Sequence, residues 1–306
     1  MRILVIGGSY FFGRWFVQLT YENHRITVLN RGNIRVGLNG VEELRADRHD
    51  GEKLMELSLA GMEFDAVVDF CAYSPGDIAS LLGHLGTDTL KRYIFISTVD
   101  VYRRGTGKLL SEDSPFEDRR FDSQEGEYIS GKVALEEELI RECDNYGIIP
   151  VSVRPAVLYG PGNYAPRESV YFKWIEESGQ ILHPEGADGF WQMVYAPDAA
   201  KALVKICEMP DEKLKRAYNL CSGELITYDT FEEALEKAYG ELPDKREFTR
   251  AGLDAKELAE RGIYMPFPLF GYESETYSAE AFDGLEIETT PLYRGLEACI
   301  KTFKGR

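Results

Sequence analysis

Cysteine and histidine are scarce in this chain. The five cysteines, Cys71, Cys143, Cys207, Cys221 and Cys299, lie far apart and are odd in number, with no CxxC pair. Such spacing excludes a recognisable zinc knuckle or disulfide scaffold and fits reduced, buried thiols. His24, His49, His84 and His183 are equally scattered, so no metal site is expected. No apolar run approaches the length of a membrane-spanning helix. Basic residues are also in deficit: 35 Lys and Arg stand against 52 Asp and Glu, a net charge of −17 that repels polyanions and argues against nucleic acid as a partner. Internal repeats and low-complexity tracts are absent. The chain opens directly on a strand-like run with no small-residue cleavage site, so the expectation is a non-secreted, cytoplasmic protein without membrane attachment.

At 306 residues the chain can bury one large core or two smaller ones. Short apolar runs, Ile26 to Leu29, Ala66 to Phe70, Tyr93 to Ile96 and Ile148 to Val153, alternate with helix-like stretches near Lys53 to Leu59, Asp77 to Leu85 and Tyr128 to Cys143. This alternation predicts an α/β fold: a Rossmann-type, doubly wound parallel sheet covered by helices on both faces. After Pro155 the pattern becomes irregular around Tyr159-Gly160-Pro161-Gly162-Asn163. The expected division is therefore a Rossmann domain over 1–165 and a smaller C-terminal α/β substrate lobe over 166–306. Segments at about 191–222, including the helix-like Ala196 to Glu208 and the strand-like Ala217 to Cys221, should return to the sheet. A last helix is expected over Thr290 to Phe303, with Pro291 at its start.

Two places carry chemistry. The first runs from Arg2-Ile3-Leu4-Val5-Ile6 into Gly7-Gly8-Ser9-Tyr10-Phe11-Phe12-Gly13 and then a helix-like stretch. A buried strand, a glycine-bracketed turn and a helix N-terminus in that order present unpaired N–H groups to the pyrophosphate of a dinucleotide. The second comprises Ser97 and Thr98 past the strand ending at Ile96, followed by Tyr128 and Lys132. Four-residue spacing puts the phenol and the ammonium on one helix face, where the positive charge should lower the tyrosine's pKa from about 10 toward the working pH. Such a tyrosine can exchange a proton with a substrate oxygen held by Thr98.

These residues together resemble the extended short-chain dehydrogenase/reductase family, the NAD-dependent epimerase/dehydratase group, and the resemblance covers almost the whole chain. Gly7-Gly8 to Gly13 looks like its TGGxGxxG turn, Ile96-Ser97-Thr98-Val99-Asp100-Val101-Tyr102 like its serine/threonine strand, and Tyr128-x-x-x-Lys132 like its catalytic pair. Arg154-Pro155-Ala156-Val157-Leu158-Tyr159-Gly160-Pro161 resembles the RPxxxYGP segment, Val194 to Ala200 the V-x-V-x-D-x-A helix start, Tyr218-Asn219-Leu220 the F-N-hydrophobic strand, and Thr289-Thr290-Pro291 the terminal T-P helix. The resemblance implies that Thr98 orients the substrate, Tyr128 is the acid/base, and Lys132 also holds the nicotinamide ribose. Gly7, Gly8, Tyr10, Phe11, Phe12, Gly13, Asn30, Arg31, Asp47, Arg48, Ser97 and Pro155 are implied as cofactor contacts, Pro155 beside the nicotinamide and Asp47 at the adenine.

Departures from the family pattern sharpen the expectation. Tyr10 replaces the middle glycine, as a bulky residue does in the GGTxFxG subgroup that includes chloroplast stem-loop-binding proteins. The second strand ends at Asn30-Arg31 rather than in an acid; a guanidinium there can pair with a 2′-phosphate, which favours NADP over NAD as cofactor. Val157 stands where UDP-sugar epimerases have an asparagine for the nucleotide sugar, and Trp191 where they have an arginine for the diphosphate. Losing both contacts would leave phosphate charge unpaired, a cost of several kcal/mol, so the expected small-molecule substrate is not a UDP-sugar. Trp174, Phe190 and Trp191 are candidates for a less polar pocket or for core. The leading expectation is an NAD(P)-dependent oxidoreductase or epimerase acting on a secondary hydroxyl or carbonyl. The alternatives are a non-catalytic NAD(P)-binding sensor or RNA-associated protein, and a sugar dehydratase, although the usual acid after the threonine is Val99, with Asp100 one place later. A homodimer is the default assembly.

Overall fold

The computed structural model describes residues 1–57 and 59–304, so part of the expected Lys53 to Leu59 helix lies outside the described residues. Its strands are β1 (Arg2–Ile6), β2 (Arg25–Asn30), β3 (Glu42–Arg45), β4 (Ala66–Asp69), β5 (Arg92–Ile96), β6 (Leu109–Leu110), β7 (Ile149–Pro155), β8 (Val157–Tyr159), β9 (Gln180–Glu185), β10 (Met193–Tyr195), β11 (Ala217–Leu220), β12 (Thr249–Asp254) and β13 (Thr276–Tyr277). The helices are α1 (Phe11–Thr20), α2 (Gly51–Glu56), α3 (Asp77–Leu82), α4 (Gln124–Tyr146), α5 (Glu168–Ser178), α6 (Ala196–Glu208), α7 (Tyr228–Gly240), α8 (Ala255–Glu260), α9 (Glu280–Gly284) and α10 (Leu292–Lys304).

Seven strands form one parallel sheet in the order β11-β7-β5-β4-β1-β2-β3. The fold is α/β and Rossmann-like. Its strands are apolar on both faces because both faces are covered. Along β1, Ile3 and Val5 pack into one cluster with residues of α1 and α6, while Leu4 and Ile6 pack into another with residues of α3 and α4. The winding direction reverses between β1 and β4, and at such a switch point the strand ends bound an open crevice.

The long helix α4 starts earlier than the sequence pattern suggests. Ser123 accepts a hydrogen bond from the Gly126 N–H at 3.0 Å and caps the helix one turn before Tyr128, so Tyr128 lies in the second turn. A third apolar cluster gathers residues of α5, α7 and α10 with Trp191 and Phe267. Besides α6 and β11, α9 also returns to the large core through Ala281 and Phe282, a return that the sequence pattern leaves unmarked. The C-terminal helix is anchored where Thr290 N–H donates to Asp198 at 2.6 Å. Among the described residues no helix is long and apolar enough to cross a membrane.

Arg154, of the RPxxxYGP-like segment, is a buried strut. Its guanidinium pairs with Glu136 of α4 at 2.8 and 2.9 Å and donates to the Tyr102 hydroxyl at 2.8 Å, and Ser152 donates to the same carboxylate at 2.5 Å. Removing one partner from a buried pair leaves an uncompensated charge. Glu136→Ala should therefore lower stability by about 3–5 kcal/mol in urea unfolding; an indistinguishable midpoint would show the pair to be replaceable.

Candidate active site

The ends of β1, β4, β5 and β7, with the loop after β8, surround a cavity of about 920 Å³. Every residue singled out from the sequence as catalytic or cofactor-binding lines it: Thr98, Tyr128 and Lys132 on one side, and Gly7, Gly8, Tyr10, Phe11, Phe12, Gly13, Asn30, Arg31, Asp47, Arg48, Ser97 and Pro155 along the rest.

The glycine turn is built for close approach. Gly7 and Gly8 have φ of +92° and +76°, and a Cβ on Gly13 would meet the Gly8 Cα at 2.7 Å. Side chains at these points would strain the turn or push α1 away from β1. Tyr10 is the N-cap of α1 but offers no side-chain cap, so the first N–H groups of this helix keep their capacity for an anion. Instead the Tyr10 ring leaves the turn and rests against Tyr164, 5.4 Å between centroids. Phe11, held at φ +38°, meets Tyr164 edge-on at 6.2 Å. Trp15 Nε1 donates to the Pro161 carbonyl at 3.2 Å, tying the loop after β8 to α1.

Asn30 and Arg48 are engaged within the protein. Asn30 donates to the Ser9 hydroxyl and accepts from Gly32 N–H, both at 2.7 Å, which fixes the end of β2 to the glycine turn. The Arg48 guanidinium grips both oxygens of Asp69 at 2.9 Å and donates to the Asp77 carbonyl at 2.6 Å. The Arg48 guanidinium thus clamps the end of β4 while the residue lines the cavity where a cofactor contact is expected. Arg31, by contrast, is exposed and has no side-chain partner among the described residues. Asp47 is partly exposed and is held ionised below the usual carboxylate range, chiefly by the His49 backbone N–H. The Ser97 hydroxyl is buried on the cavity wall with no hydrogen-bond partner among the described residues. Glycines at the turn, a lone guanidinium past β2 and an orphan hydroxyl past β5 together fit a dinucleotide.

The catalytic-type residues converge, but their electrostatics differ from the sequence expectation. Lys132 is 2% exposed and donates at 2.9 Å to the carbonyls of Ala72 and Ile96, at the ends of the β4 and β5 segments. Its ammonium also lies 4.7 Å from the ring centroids of Tyr73 and Phe95 and 5.9 Å from that of Tyr128. Burial pulls its pKa down to about 8. The Tyr128 phenol moves the opposite way from expectation, up to about 12, although 39% of the residue is exposed. Poor solvation of the phenolate dominates, and the Asp100 carboxylate adds to it. The Thr98 hydroxyl, able to donate to a phenolate, and Arg167 act in the opposite sense without prevailing. Lys132 is not among the leading influences on the phenol, and its ammonium donates to the carbonyls of Ala72 and Ile96.

Thr98 is not free either. Its hydroxyl donates to Asp100 at 2.8 Å, and Arg104 holds the other carboxylate oxygen at 2.7 Å while reaching Glu125 at 3.0 Å. Sequence reasoning noted Asp100 only as an acid one place late, and had no signal for Arg104, Tyr73 or Arg167. At the far end, Trp191 stacks on Phe267 at 4.2 Å, with Phe190 and Gln192 beside it on the wall. Trp174 is not on that wall and packs on Tyr171 at 5.2 Å.

Residues 3–221 match the NAD dependent epimerase/dehydratase family. The chain belongs to that family. Among relatives of this epimerase/dehydratase chain, it is 27% identical over 256 residues to the chloroplast stem-loop binding protein of 41 kDa b of Arabidopsis thaliana, covering 78% of this chain and 63% of that protein. Solved structures with the same fold include UDP-glucuronic acid 4-epimerase from Bacillus cereus in complex with UDP-glucuronic acid and NAD, at TM-score 0.75 and 20% identity over 100% of this chain and 99% of that one. Another is dTDP-glucose 4,6-dehydratase from Bacillus anthracis in complex with NAD, at TM-score 0.75 and 15% identity over 100% and 97% of the two chains.

A lysine whose folded pKa lies below its unfolded value destabilises the fold while it is charged, so its contribution to stability improves as pH rises through about 8. Lys132→Met removes this dependence. From pH 7 to 9.5 the native chain should gain about 2 kcal/mol relative to the variant in paired urea unfolding curves; a constant difference would show that Lys132 does not titrate in that range.

Proposed function

We propose that this chain is an NAD(P)-dependent oxidoreductase or epimerase of the extended short-chain type, acting at a secondary hydroxyl or carbonyl of a small substrate without a nucleotide diphosphate. The observation that carries this reading is the convergence of Thr98, Tyr128 and Lys132 on the cavity that also holds the glycine turn. Catalysis is favoured over a binding-only role because all three chemical groups are present and mutually oriented, and the net charge of −17 opposes a polyanionic partner.

A nicotinamide bound beside Pro155 would supply hydride exchange with the substrate carbon. Tyr128, protonated across the neutral range, is suited to donate to an oxygen on which negative charge develops. Thr98, pinned by Asp100, fixes the position of that oxygen. Lys132 sets the depth of Tyr128 through its backbone anchors and presents an ammonium to the ribose side of the site. At the position of the diphosphate arginine, Trp191 is 4% exposed and stacked, an environment that offers no cation to phosphate.

Tyr128→Phe should reduce turnover by about 10²- to 10⁴-fold while NADPH affinity, read by fluorescence titration, stays unchanged; full activity in the variant would refute the acid/base assignment. The exposed Arg31 favours NADP. Arg31→Ala should weaken NADPH binding by about 10- to 100-fold with little effect on NADH, and equal losses for both coenzymes would contradict a 2′-phosphate contact.

A further inference from the structure

Four arginines line the cavity, and they are not equivalent. Arg48 is neutralised by Asp69 and Arg104 by Asp100 and Glu125. Arg31 and Arg167 have no ion pair among the described residues, and Arg31 lies at the end of β2 where the coenzyme's adenosine is expected. Arg167 is on the opposite side, at the end of the loop that follows β8, just before α5. Its side chain makes one long hydrogen bond, 3.5 Å to the Leu158 carbonyl.

The neighbouring acid feels its charge but forms no ion pair with it. Glu168 is 2% exposed, and its carboxylate accepts two hydrogen bonds from Asn163 Nδ2 at 3.0 Å and one from Gly160 N–H at 3.4 Å. Acids elsewhere on the wall are also satisfied: Glu273 accepts from Leu269 and Phe270 N–H groups, and Glu275 from Gly105 N–H. In a chain with 17 more negative than positive charges, a guanidinium without an ion pair on the cavity wall is a departure from the surrounding pattern. Tyr128 lines the same cavity.

We infer that Arg167 binds one oxyanion of the substrate, a carboxylate or a phosphate monoester, in the cavity where the reacting oxygen meets Tyr128. This rests on the proposed function and narrows its substrate class to small anionic hydroxy or keto compounds of sugar type. A single guanidinium matches one oxyanion in a forked pair. With Arg31 assigned to the coenzyme and Arg48 and Arg104 paired within the protein, no second unpaired guanidinium is left on the wall, among the described residues, for a diphosphate.

The test uses the full chain and defined probes. NADPH and NADH are titrated first, onto the native protein and Arg167→Gln. Glucuronate, glucose 1-phosphate and glucose are then titrated calorimetrically onto the coenzyme complex. The inference predicts that at least one oxyanion sugar binds ten times or more tightly than glucose, that Arg167→Gln abolishes this preference with coenzyme affinity unchanged, and that Arg167→Lys restores part of it. A carboxylate source is marked by glucuronate, a phosphate source by glucose 1-phosphate. Equal binding of all three sugars, no binding of either anionic one, or a preference that survives in Arg167→Gln overturns the role of Arg167 and leaves the functional reading standing. Failure of the native protein to bind either coenzyme overturns both.

Discussion

The site depends on where an ammonium can be held at the end of a parallel sheet. The Lys132 Nζ donates to the carbonyls of Ala72, past the end of β4, and Ile96, the last residue of β5, in a nearly dry position by the rings of Tyr73 and Phe95. Few other groups could satisfy both carbonyls without a buried void. Because α4 is rigid and Tyr128 is one turn back from Lys132, that anchor also determines where the phenol enters the cavity. The sheet's reversal between β1 and β4 leaves the same edge uncovered and places the glycine turn beside it.

Charge around the cavity is largely settled inside the protein. Arg48 with Asp69 closes the end of β4, Asp100 with Arg104 and Glu125 holds Thr98, and Arg154 with Glu136 fastens α4 to β7. These pairs rigidify the frame, and the two carboxylates on Arg104 leave one net negative charge beside Thr98. What remains to act on a ligand is the α1 N-terminus, the guanidiniums of Arg31 and Arg167, the Lys132 ammonium and the phenol of Tyr128. Recognition therefore rests on a few uncommitted groups, a usual economy in sites whose other polar residues serve positioning.

Much of the fold was legible in the chain because doubly covered strands read as plain apolar runs: β2, β4, β5 and β7 fall where those runs do. The site residues were legible as a set through their order, and all of them reach one cavity. Their individual states were not. Burial of the Tyr128 phenol beside Asp100 and the turning of Lys132 to strand carbonyls arise from contacts distant in sequence, so local spacing suggested a lowered pKa where the fold raises it. The pairing of Arg48 was not legible for the same reason, since its partner Asp69 is 21 residues away. Outside the large sheet, β12 is polar and largely exposed, which hid its pairing with β9, and the two-residue pairing of β13 with β6 is too short to leave a pattern.

The most direct measurement is a crystal structure of the chain grown with NADP. The account predicts the pyrophosphate over Gly7, Gly8 and the first turn of α1, the 2′-phosphate at Arg31, and the reactive nicotinamide carbon facing a space about 3–4 Å from the Tyr128 hydroxyl. A dinucleotide bound elsewhere, or one whose nicotinamide lies away from Tyr128 and Thr98, would contradict it.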